Sequence, residues 1–494
     1  MYTETSPLLN DKESNRRRRP PPSCTAILLV STFIPSLAGF LCGYDQTIID
    51  TTLHLPNFQH HFFHGRLYNG SNPFDYLTFG FFSMAISGTL ISGYVCDQAG
   101  RKRALIGALL VFVLGTLLDM GFSYSLTFLV GRCLSGLGIG MMMVASPCLM
   151  AELAPAELRG CLVGFFSLMV MAGKLSGYYM MLAMGPSISA SMSSSSASSS
   201  FYDSWSYDWR TPVLVEACLG LLMVWVQWQL PESPRWDRHD QARLSIALLY
   251  EQPIDSPAVQ QLWEQIGTYN RTTISYLDLL RSKKRTLIGA TGLVLADWLT
   301  GHATLVKYYA PAIFYASGLQ EKDHPLAAVG CTSSLALAAA AISLGWCVDH
   351  FERKRLLLLG CVTMILCHLG LGSVFHWASV VDWQTGTLML AAPSVAITCV
   401  YLFIVAYAFT WGSLVLVTLC EWFGTTERAK GVAMMMALVL ATRWIQGTSS
   451  PWYFCMTGPS SMYFFFALAL MVAACFVYRW VPNTTTRPLE AISC

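Results

Sequence analysis

Apolar runs of about 20 residues recur about twelve times along the chain, and short polar segments separate them. A helix of that length crosses the roughly 30 Å hydrocarbon core of a bilayer, whereas a membrane barrel needs strands of about ten residues that alternate in polarity. The pattern therefore predicts an all-α integral membrane protein with about twelve transmembrane helices, which we number as spans from the N-terminus.

The stretch from Gly131 to Tyr178 is apolar enough to cross a bilayer twice, yet it carries several charged side chains. These are Arg132, Glu152, Arg159 and Lys174. Charges at membrane depth are costly and usually functional. We therefore predict that spans 4 and 5 form a pair of packed helices with functional charges.

The end of span 2 has a counterpart at the end of span 8. Residues 93–103 read GYVCDQAGRKR, and residues 345–355 read GWCVDHFERKR. Two further pairs follow the same plan: Glu152 with Arg159 and Glu421 with Arg428, and PESPRW at 231–236 and PNTTTRP at 482–488. This repetition predicts two parallel, pseudo-symmetric bundles of six spans each.

Polarity also divides the chain into parts. They are a disordered cytosolic tail at 1–24, the first six-helix bundle at 25–230, a cytoplasmic linker with amphipathic helices at 231–285, the second six-helix bundle at 286–481, and a cytosolic tail at 482–494. Residues 187–200, between spans 5 and 6, are mostly serine, with alanine and methionine, which predicts a flexible outer loop.

Composition excludes an ordinary soluble protein, because 54% of the residues are hydrophobic and only 12% are charged, against about a quarter in soluble domains. The 16 cysteines are scattered without metal-ligand spacing, so we expect buried apolar side chains and no metal site. A nucleophile elbow, a zinc motif and a phosphate loop are all missing, so we predict neither an enzyme nor a cofactor. The predicted partners are a small-molecule solute and the lipid bilayer, with no nucleic acid.

Lysine and arginine gather in the N-terminal tail and after the even-numbered spans, which places both termini in the cytoplasm by the positive-inside rule. The loop after span 1 then faces outside, and Asn69 in its sequon is a predicted glycosylation site. We expect residence in the plasma membrane. A vacuole or lysosome is the alternative, because residues 4–9 resemble an acidic dileucine sorting signal.

Motifs of one transporter family stand in order along the chain. They are GYD at 43–45, GxxxDxxGRK at 93–102, GRxLxGxGxG at 131–140, ExAPxxxRG at 152–160, PESPRW at 231–236, YYxPxIF at 308–314 and ExFxxxxRAKG at 421–431. The chain therefore resembles the sugar porters of the major facilitator superfamily over nearly its whole length. The resemblance implies secondary active transport of a sugar, polyol or sugar-like organic solute by alternating access.

The resemblance also implies roles for individual residues. Asp45 and Arg132 match the family's proton-linked carboxylate and its arginine partner, so we predict proton coupling there. Lys307, Tyr308 and Tyr309 are expected near the outer gate. The inner gate is expected to consist of Asp97, Arg101, Glu152, Arg159, Glu232, Arg235, Asp349, Arg353, Glu421 and Arg428.

The expected solute pocket departs from the family pattern. Span 7 has Asp297 and Trp298 where the sugar porters have glutamines, and span 11 has Arg443 where they have asparagine. The predicted substrate-binding residues are Ser167, Lys174, Asp297, Trp298, His302, Arg443 and Trp444.

The charges in this set leave two interpretations open. Arginine is effectively always protonated and can bind a carboxylate through two hydrogen bonds, so Arg443 predicts an acidic or otherwise anionic solute. Alternatively, the charges neutralise one another in a buried network. Two other functions also remain open: export of a specialised metabolite, and a nutrient sensor that binds without transporting.

Overall fold

A computed structural model describes most of the chain between residues 25 and 481. The described residues are 25–52, 58, 73–121, 125–155, 158–193, 209–236, 239–266, 274–305, 310, 313–314, 324–377, 379–381, 388–390 and 392–481. The two predicted tails lie outside these ranges. So do the glycosylation site Asn69 and the outer-gate residues Lys307, Tyr308 and Tyr309.

Long helices in the first half of the chain follow the predicted spans 1 to 6. They are α1 (Ala26–Thr52), α2 (Pro73–Ala99), α3 (Arg101–Gly121), α4 (Ser125–Leu153), α5 (Arg159–Ser193) and α6 (Arg210–Gln229). Helix α4 packs against both α2 and α3, and α1 packs against α5. The contact of α4 with α2 depends on Gly140, because a Cβ atom there would collide with the carbonyl oxygen of Ala85.

Helix α5 is longer than the sequence pattern indicates. The prediction of a flexible loop at 187–200 is wrong for residues 187–193, because α5 continues to Ser193. Serine and alanine extend an existing helix at little cost, since nucleation rather than propagation is the unfavourable step. Residues 194–200 lie outside the described part of the chain.

Short helices occupy the linker between the two halves. They are α7 (His239–Tyr250), α8 (Pro257–Ile266) and α9 (Tyr276–Ser282). Helices α7 and α8 share a small apolar cluster. Among the hydrogen bonds that attach the linker to the first half, the Thr25 hydroxyl donates to the Leu249 carbonyl, and the Tyr276 hydroxyl donates to the Leu90 carbonyl of α2 at 2.6 Å.

The second half follows spans 7 to 12 and adds a short hairpin after span 9. Its elements are α10 (Lys284–Leu299), α11 (His302–Thr304), α12 (His324–Ile342), a π-helical turn (Ser343–Cys347), α13 (Val348–His350), α14 (Arg353–Trp377), β1 (Ser379–Val381), β2 (Leu388–Leu390), α15 (Pro393–Phe409), α16 (Trp411–Trp422), α17 (Arg428–Thr457) and α18 (Pro459–Trp480). Strands β1 and β2 pair antiparallel, with Ser379 opposite Leu390.

Spans 7 and 10 are interrupted within the described residues. Span 7 breaks between α10 and α11, where Gly301 has a φ of 69°, a left-handed conformation that favours glycine. Span 10 breaks at Thr410, between α15 and α16. Interruptions at membrane depth are tolerated only where the freed backbone groups face protein or a cavity, and transporters use them to build binding sites. The two breaks therefore indicate where a solute site lies.

Ten helical segments of the described chain are long and apolar enough to cross a membrane. Two further helices fall short of this measure: α10 has only 16 residues, and α17 is less apolar because it includes Arg428, Lys430 and Arg443. Large apolar side chains such as Trp225 and Leu366 lie on the surface, as expected where lipid covers the protein. The prediction of an all-α membrane protein is confirmed, with the hairpin as a small addition.

Candidate functional site

Arg132 of α4 lies between carboxylates of two other helices. Its Nη1 donates to Asp45 Oδ1 of α1 at 2.8 Å, and its Nη2 donates to Asp119 of α3. All three side chains are at most 2% exposed. Gly131 leaves room for Asp119, because a Cβ atom there would collide with that carboxylate. A buried guanidinium needs such partners, so Arg132 holds α1, α3 and α4 together.

Glu216 of α6 adds a third carboxyl group to this site. Glu216 is 1% exposed, and it lies within electrostatic range of Asp45, Arg132 and Asp119. Its Oε1 has no hydrogen-bond partner among the described residues. We call these four residues the Arg132 cluster. Its energy depends strongly on how many protons it holds, because three carboxyl groups face one guanidinium.

The sequence motifs predicted the pair of Asp45 and Arg132 but neither Asp119 nor Glu216. The structure places the predicted pair in direct contact. Each missed residue is the single acidic residue of an apolar helix, α3 or α6, and that isolation is the signal that could have found it.

Buried ion pairs join α2, α3 and α4 at their inner ends, the ends that the positive-inside rule places in the cytoplasm. Arg101 of α3 donates through Nε to Glu152 of α4 at 3.0 Å, and its Nη2 lies 3.7 Å from Asp97 of α2. The Ser233 hydroxyl of the linker donates to the second oxygen of Glu152. Every partner is at least partly desolvated, which strengthens these contacts relative to surface pairs.

The second half repeats these contacts. Arg353 of α14 pairs with Glu421 of α16, and its Nη2 lies 3.9 Å from Asp349 of α13. The repeat in sequence is therefore also a repeat of contacts, as expected of two pseudo-symmetric bundles.

Among the described contacts that cross between the halves at the inner end, two stand at equivalent positions. Lys430 Nζ of α17 lies 3.0 Å from Asp97 Oδ2 of α2. The backbone N–H of Cys161, in the first turn of α5, donates to Asp349 Oδ2 at 2.9 Å. Lys430 and Cys161 each stand two residues after the repeated arginine of their half. The crossing contacts thus obey the same pseudo-symmetry, and they tie the two bundles together.

The remaining predicted gate residues surround these contacts. Arg428 lies 3.9 Å from Glu152 of the other half. Arg159 is buried, and the like-charged Arg235 lies within electrostatic range of Arg428. Glu232 accepts two backbone N–H groups. Burial nevertheless raises the pKa of Glu232, so this carboxyl takes up a proton at a higher pH than an exposed one. The ten predicted residues together with Lys430 form what we call the inner-gate cluster.

The interruption of span 7 brings polar side chains against span 10. The Tyr407 hydroxyl of α15 donates to Asp297 Oδ1 of α10 at 3.1 Å. The ring of His302 stacks on Tyr407, with centroids 3.6 Å apart and an interplanar angle of 6°. Within the described part of the chain, His302 Nδ1 has no hydrogen-bond partner. These three side chains offer hydrogen-bonding groups beside a flat aromatic pair.

Two cationic side chains approach this surface. Arg443 of α17 lies within electrostatic range of Asp297 and Tyr407, and Lys174 of α5 lies within range of His302. We call these five residues the central polar group. Because α5 belongs to the first half and the other elements belong to the second, the group contains residues from both halves, as a solute site between two bundles requires.

The other predicted pocket residues are placed differently. Trp444 packs on Phe79 of α2, with ring centroids 5.5 Å apart, so it contributes to the contact between α17 and α2. Ser167 lies on α5 two turns before Lys174, and both it and Trp298 are partly buried. Tyr407 was missed by sequence analysis, because it stands inside a strongly apolar run without a motif of its own.

A family model described as "Sugar (and other) transporter" matches residues 31–494. The chain belongs to this family. An MFS-type transporter of Aspergillus cristatus is 28% identical to it over 492 residues, which cover 94% of this chain and 93% of that protein. A quinate permease of Neurospora africana is 26% identical over 485 residues, with coverages of 93% and 87%. A low-affinity glucose transporter of Kluyveromyces lactis is 28% identical over 433 residues, with coverages of 83% and 71%.

Solved structures show the same fold. The proton:xylose symporter XylE, bound to 6-bromo-6-deoxy-D-glucose, aligns with a TM-score of 0.76 at 23% identity, over 95% of this chain and 99% of that one. An inward-open structure of the xylose transporter XylE from E. coli aligns with a TM-score of 0.64 at 22% identity, with coverages of 93% and 98%. The predicted fold of two six-helix bundles and the predicted family are therefore confirmed, and the protein is a multi-pass membrane transporter.

The crossing contacts of the inner-gate cluster generate a prediction. Lys430→Met removes a cation that joins α17 to Asp97 of the other half, so the inner end should open more readily. We expect a cysteine introduced at Ser167 to react roughly fivefold faster with a membrane-impermeant thiol reagent from the cytoplasmic side, the ratio that corresponds to about 1 kcal/mol. Arg428→Ala and Arg159→Ala should act in the same direction.

The matched control for this prediction is Arg355→Met. Arg355 lies at the same end but pairs at 2.9 Å with Glu352 of its own half, and its side chain is 79% exposed. That change should leave the reactivity at position 167 unaltered. An unchanged rate in Lys430→Met as well would mean that the cluster does not control access.

Proposed function

We propose that the protein is a proton-coupled secondary active transporter, which moves a small polyhydroxylated solute such as a sugar, a polyol or a sugar-derived acid by alternating access. The observation that carries the proposal is the Arg132 cluster, where a buried arginine meets carboxylates of two neighbouring helices. The central polar group and the inner-gate cluster supply the other parts that such a carrier needs, a solute site shared by both halves and an end that can close.

Charge balance in the Arg132 cluster supports proton coupling. Protonation of Asp45 removes one negative charge, yet Asp119 still neutralises Arg132, so the guanidinium is not left alone in the membrane. Release of the proton restores the second carboxylate on the same arginine. The bound proton therefore changes how strongly α1 is attached to α4. Any movement of the halves that alters these contacts must in turn alter proton binding, because such coupling is reciprocal.

The central polar group suits a hydroxylated ring. Asp297 accepts hydrogen bonds, Tyr407 and His302 can donate or accept them, and the stacked rings of the latter two offer an apolar face. Two similar proteins are named a quinate permease and a low-affinity glucose transporter. Both named solutes are ring compounds with several hydroxyl groups, which supports the same class of solute for this chain.

The charge of the solute is a separate part of the proposal. Arg443 lies within electrostatic range of the Asp297 carboxylate, and its guanidinium can bind a carboxylate through two hydrogen bonds. A carboxylate on the solute would bring a second negative charge to this region, and quinate carries one. We therefore favour an anionic solute. A closed internal network of Arg443 and Asp297 is the alternative.

The proposed membrane is the plasma membrane, with the inner-gate cluster on the cytoplasmic side. The distribution of lysine and arginine supports this orientation. In the same orientation Asn69 faces outside, where a glycan can be attached. A vacuole or lysosome, favoured by the dileucine-like sequence at 4–9, is distinguished by the location of the tagged protein in cells.

Asp45→Asn tests the coupling. The amide keeps the shape of the side chain but does not ionise, so it cannot take up and release a proton during transport. In proteoliposomes with an imposed pH gradient, we expect this variant to lose uphill accumulation while it still exchanges labelled for unlabelled solute. The probes are quinate and a panel of neutral and acidic sugars that includes D-glucose. Asp278→Asn, which changes an exposed aspartate of α9, is the matched control and should accumulate solute like the wild type.

Two results would speak against this part of the proposal. Full uphill accumulation by Asp45→Asn would show that the proton is not carried through the Arg132 cluster. If the wild type binds one or more of the probes but transports none of the panel, a non-transporting sensor becomes the better explanation.

Arg443→Asn tests the charge of the solute. The substitution removes the guanidinium and with it a charge-assisted, bidentate hydrogen bond to the solute carboxylate. The affinity for quinate should therefore fall at least about tenfold more than the affinity for D-glucose. Competition against a labelled probe measures both affinities in one preparation. Equal losses for the two solutes would identify Arg443 as the internal partner of Asp297, and the anionic part of the proposal would have to be abandoned.

A further inference from the structure

The interruption of span 7 leaves a backbone carbonyl between two helices. Thr300 follows the end of α10 and precedes Gly301, so its carbonyl belongs to neither helical ladder. An unpaired carbonyl at membrane depth is strongly unfavourable. His368 of α14 satisfies it: its Nε2 lies 3.0 Å from the Thr300 oxygen, and the residue is 0% exposed. Since a carbonyl oxygen can only accept, Nε2 carries the proton and donates.

Thr300 also connects this carbonyl to the central polar group. Its backbone N–H and its hydroxyl both donate to the Asp297 carbonyl, at 3.1 and 2.7 Å. The backbone N–H of His302 donates to the same hydroxyl at 3.3 Å. A fixed Thr300 therefore fixes the backbone that carries both Asp297 and His302.

Aromatic rings hold the His368 imidazole in its place. Phe403 of α15 meets it edge-on at a centroid distance of 4.8 Å, and Phe466 of α18 lies nearly parallel to it at 5.6 Å. Phe466 also packs on Gly301, where a Cβ atom would stand only 2.8 Å from the ring. The imidazole, the ring and the break thus form one packed unit, so the histidine cannot turn away without disturbing its neighbours.

Helix α14 supports the other interruption as well. At the break of span 10, the indole N–H of Trp411 donates to the Leu357 carbonyl of α14 at 3.1 Å. The Phe409 carbonyl, which ends α15, accepts the hydroxyl of Ser343. Side chains therefore hydrogen-bond the backbone at or beside both breaks, and α14 contacts each of them, through His368 at span 7 and through the Leu357 carbonyl at span 10.

We propose that His368 is a positioning residue, which pins the interruption of span 7 and thereby sets the geometry of the central polar group. It acts through Thr300 and does not touch the solute. Its effect on solute affinity rests on the proposed function, whereas its effect on the backbone at 297–305 is independent of that function.

Hydrogen exchange followed by mass spectrometry, on purified protein in detergent, tests the proposal without a solute. His368→Leu removes the donor, and His368→Gln keeps an N–H at about the reach of Nε2. We expect the amides of Thr300, Gly301 and His302 to exchange at least about tenfold faster in His368→Leu. His368→Gln should stay near the wild type. So should His376→Leu, which changes an exposed histidine of the same helix.

Unchanged exchange in His368→Leu would overturn the proposal, as would equally fast exchange in His368→Leu and His368→Gln. If the leucine variant does not fold, His368→Asn replaces it, because its amide is too short to reach Thr300 while its polarity matches that of glutamine.

Transport gives a second readout. For quinate or D-glucose, His368→Leu should raise the half-saturation concentration more than it lowers the maximal rate, and His368→Gln should restore the wild-type value. A general structural defect would instead lower the maximal rate in both variants, which would contradict a positioning role. If the wild type carries none of the solutes in the panel of quinate and neutral and acidic sugars, the proposed function fails, and the exchange measurement alone decides the role of His368.

Discussion

A charge buried in a lipid-embedded helical bundle requires a partner of opposite charge, and much of this architecture follows from that requirement. The arginines concerned are Arg101, Arg132, Arg353 and Arg428, each at most 3% exposed and each facing a carboxylate. In every case the carboxylate belongs to a different helix, so the ion pairs decide which helices meet. Removing one partner leaves a buried charge alone, which costs far more than the intact pair contributes to stability.

The two halves share one set of inner-end contacts but differ in what they add to it. The first half holds the Arg132 cluster, which joins α1, α3 and α4. The second half contains both interrupted spans and most of the central polar group, to which the first half contributes Lys174. The proposed proton site and solute site thus lie mainly on different bundles. In this proposal their coupling passes through a relative movement of the bundles, which are joined at the inner end by the contacts of Asp97 and Asp349.

Sequence pattern predicted most where a residue belongs to a repeated motif at a helix end. The repeated motifs predict that the charged residues of each half meet at the inner ends of its helices. The structure brings these residues together, while their gating role stays a prediction. Asp119 and Glu216 are different, because each stands alone in an apolar helix and finds Arg132 only through packing. Tyr407 and His368 also meet the break of span 7 only in three dimensions. Trp444 was predicted as a substrate-binding residue, yet its ring packs on Phe79 of α2, a contact that only the three-dimensional packing reveals.

Proton movement driven by the solute is the direct test of proton coupling through the Arg132 cluster. Wild-type protein is placed in liposomes that contain a pH-sensitive dye, without an imposed pH gradient and with the membrane potential held at zero by potassium and valinomycin. Quinate or D-glucose, whichever is taken up, is then added outside, and protein-free liposomes correct for leakage. If transport is proton-coupled, the lumen acidifies in proportion to solute uptake. Uptake without any change in internal pH would contradict proton coupling through the Arg132 cluster.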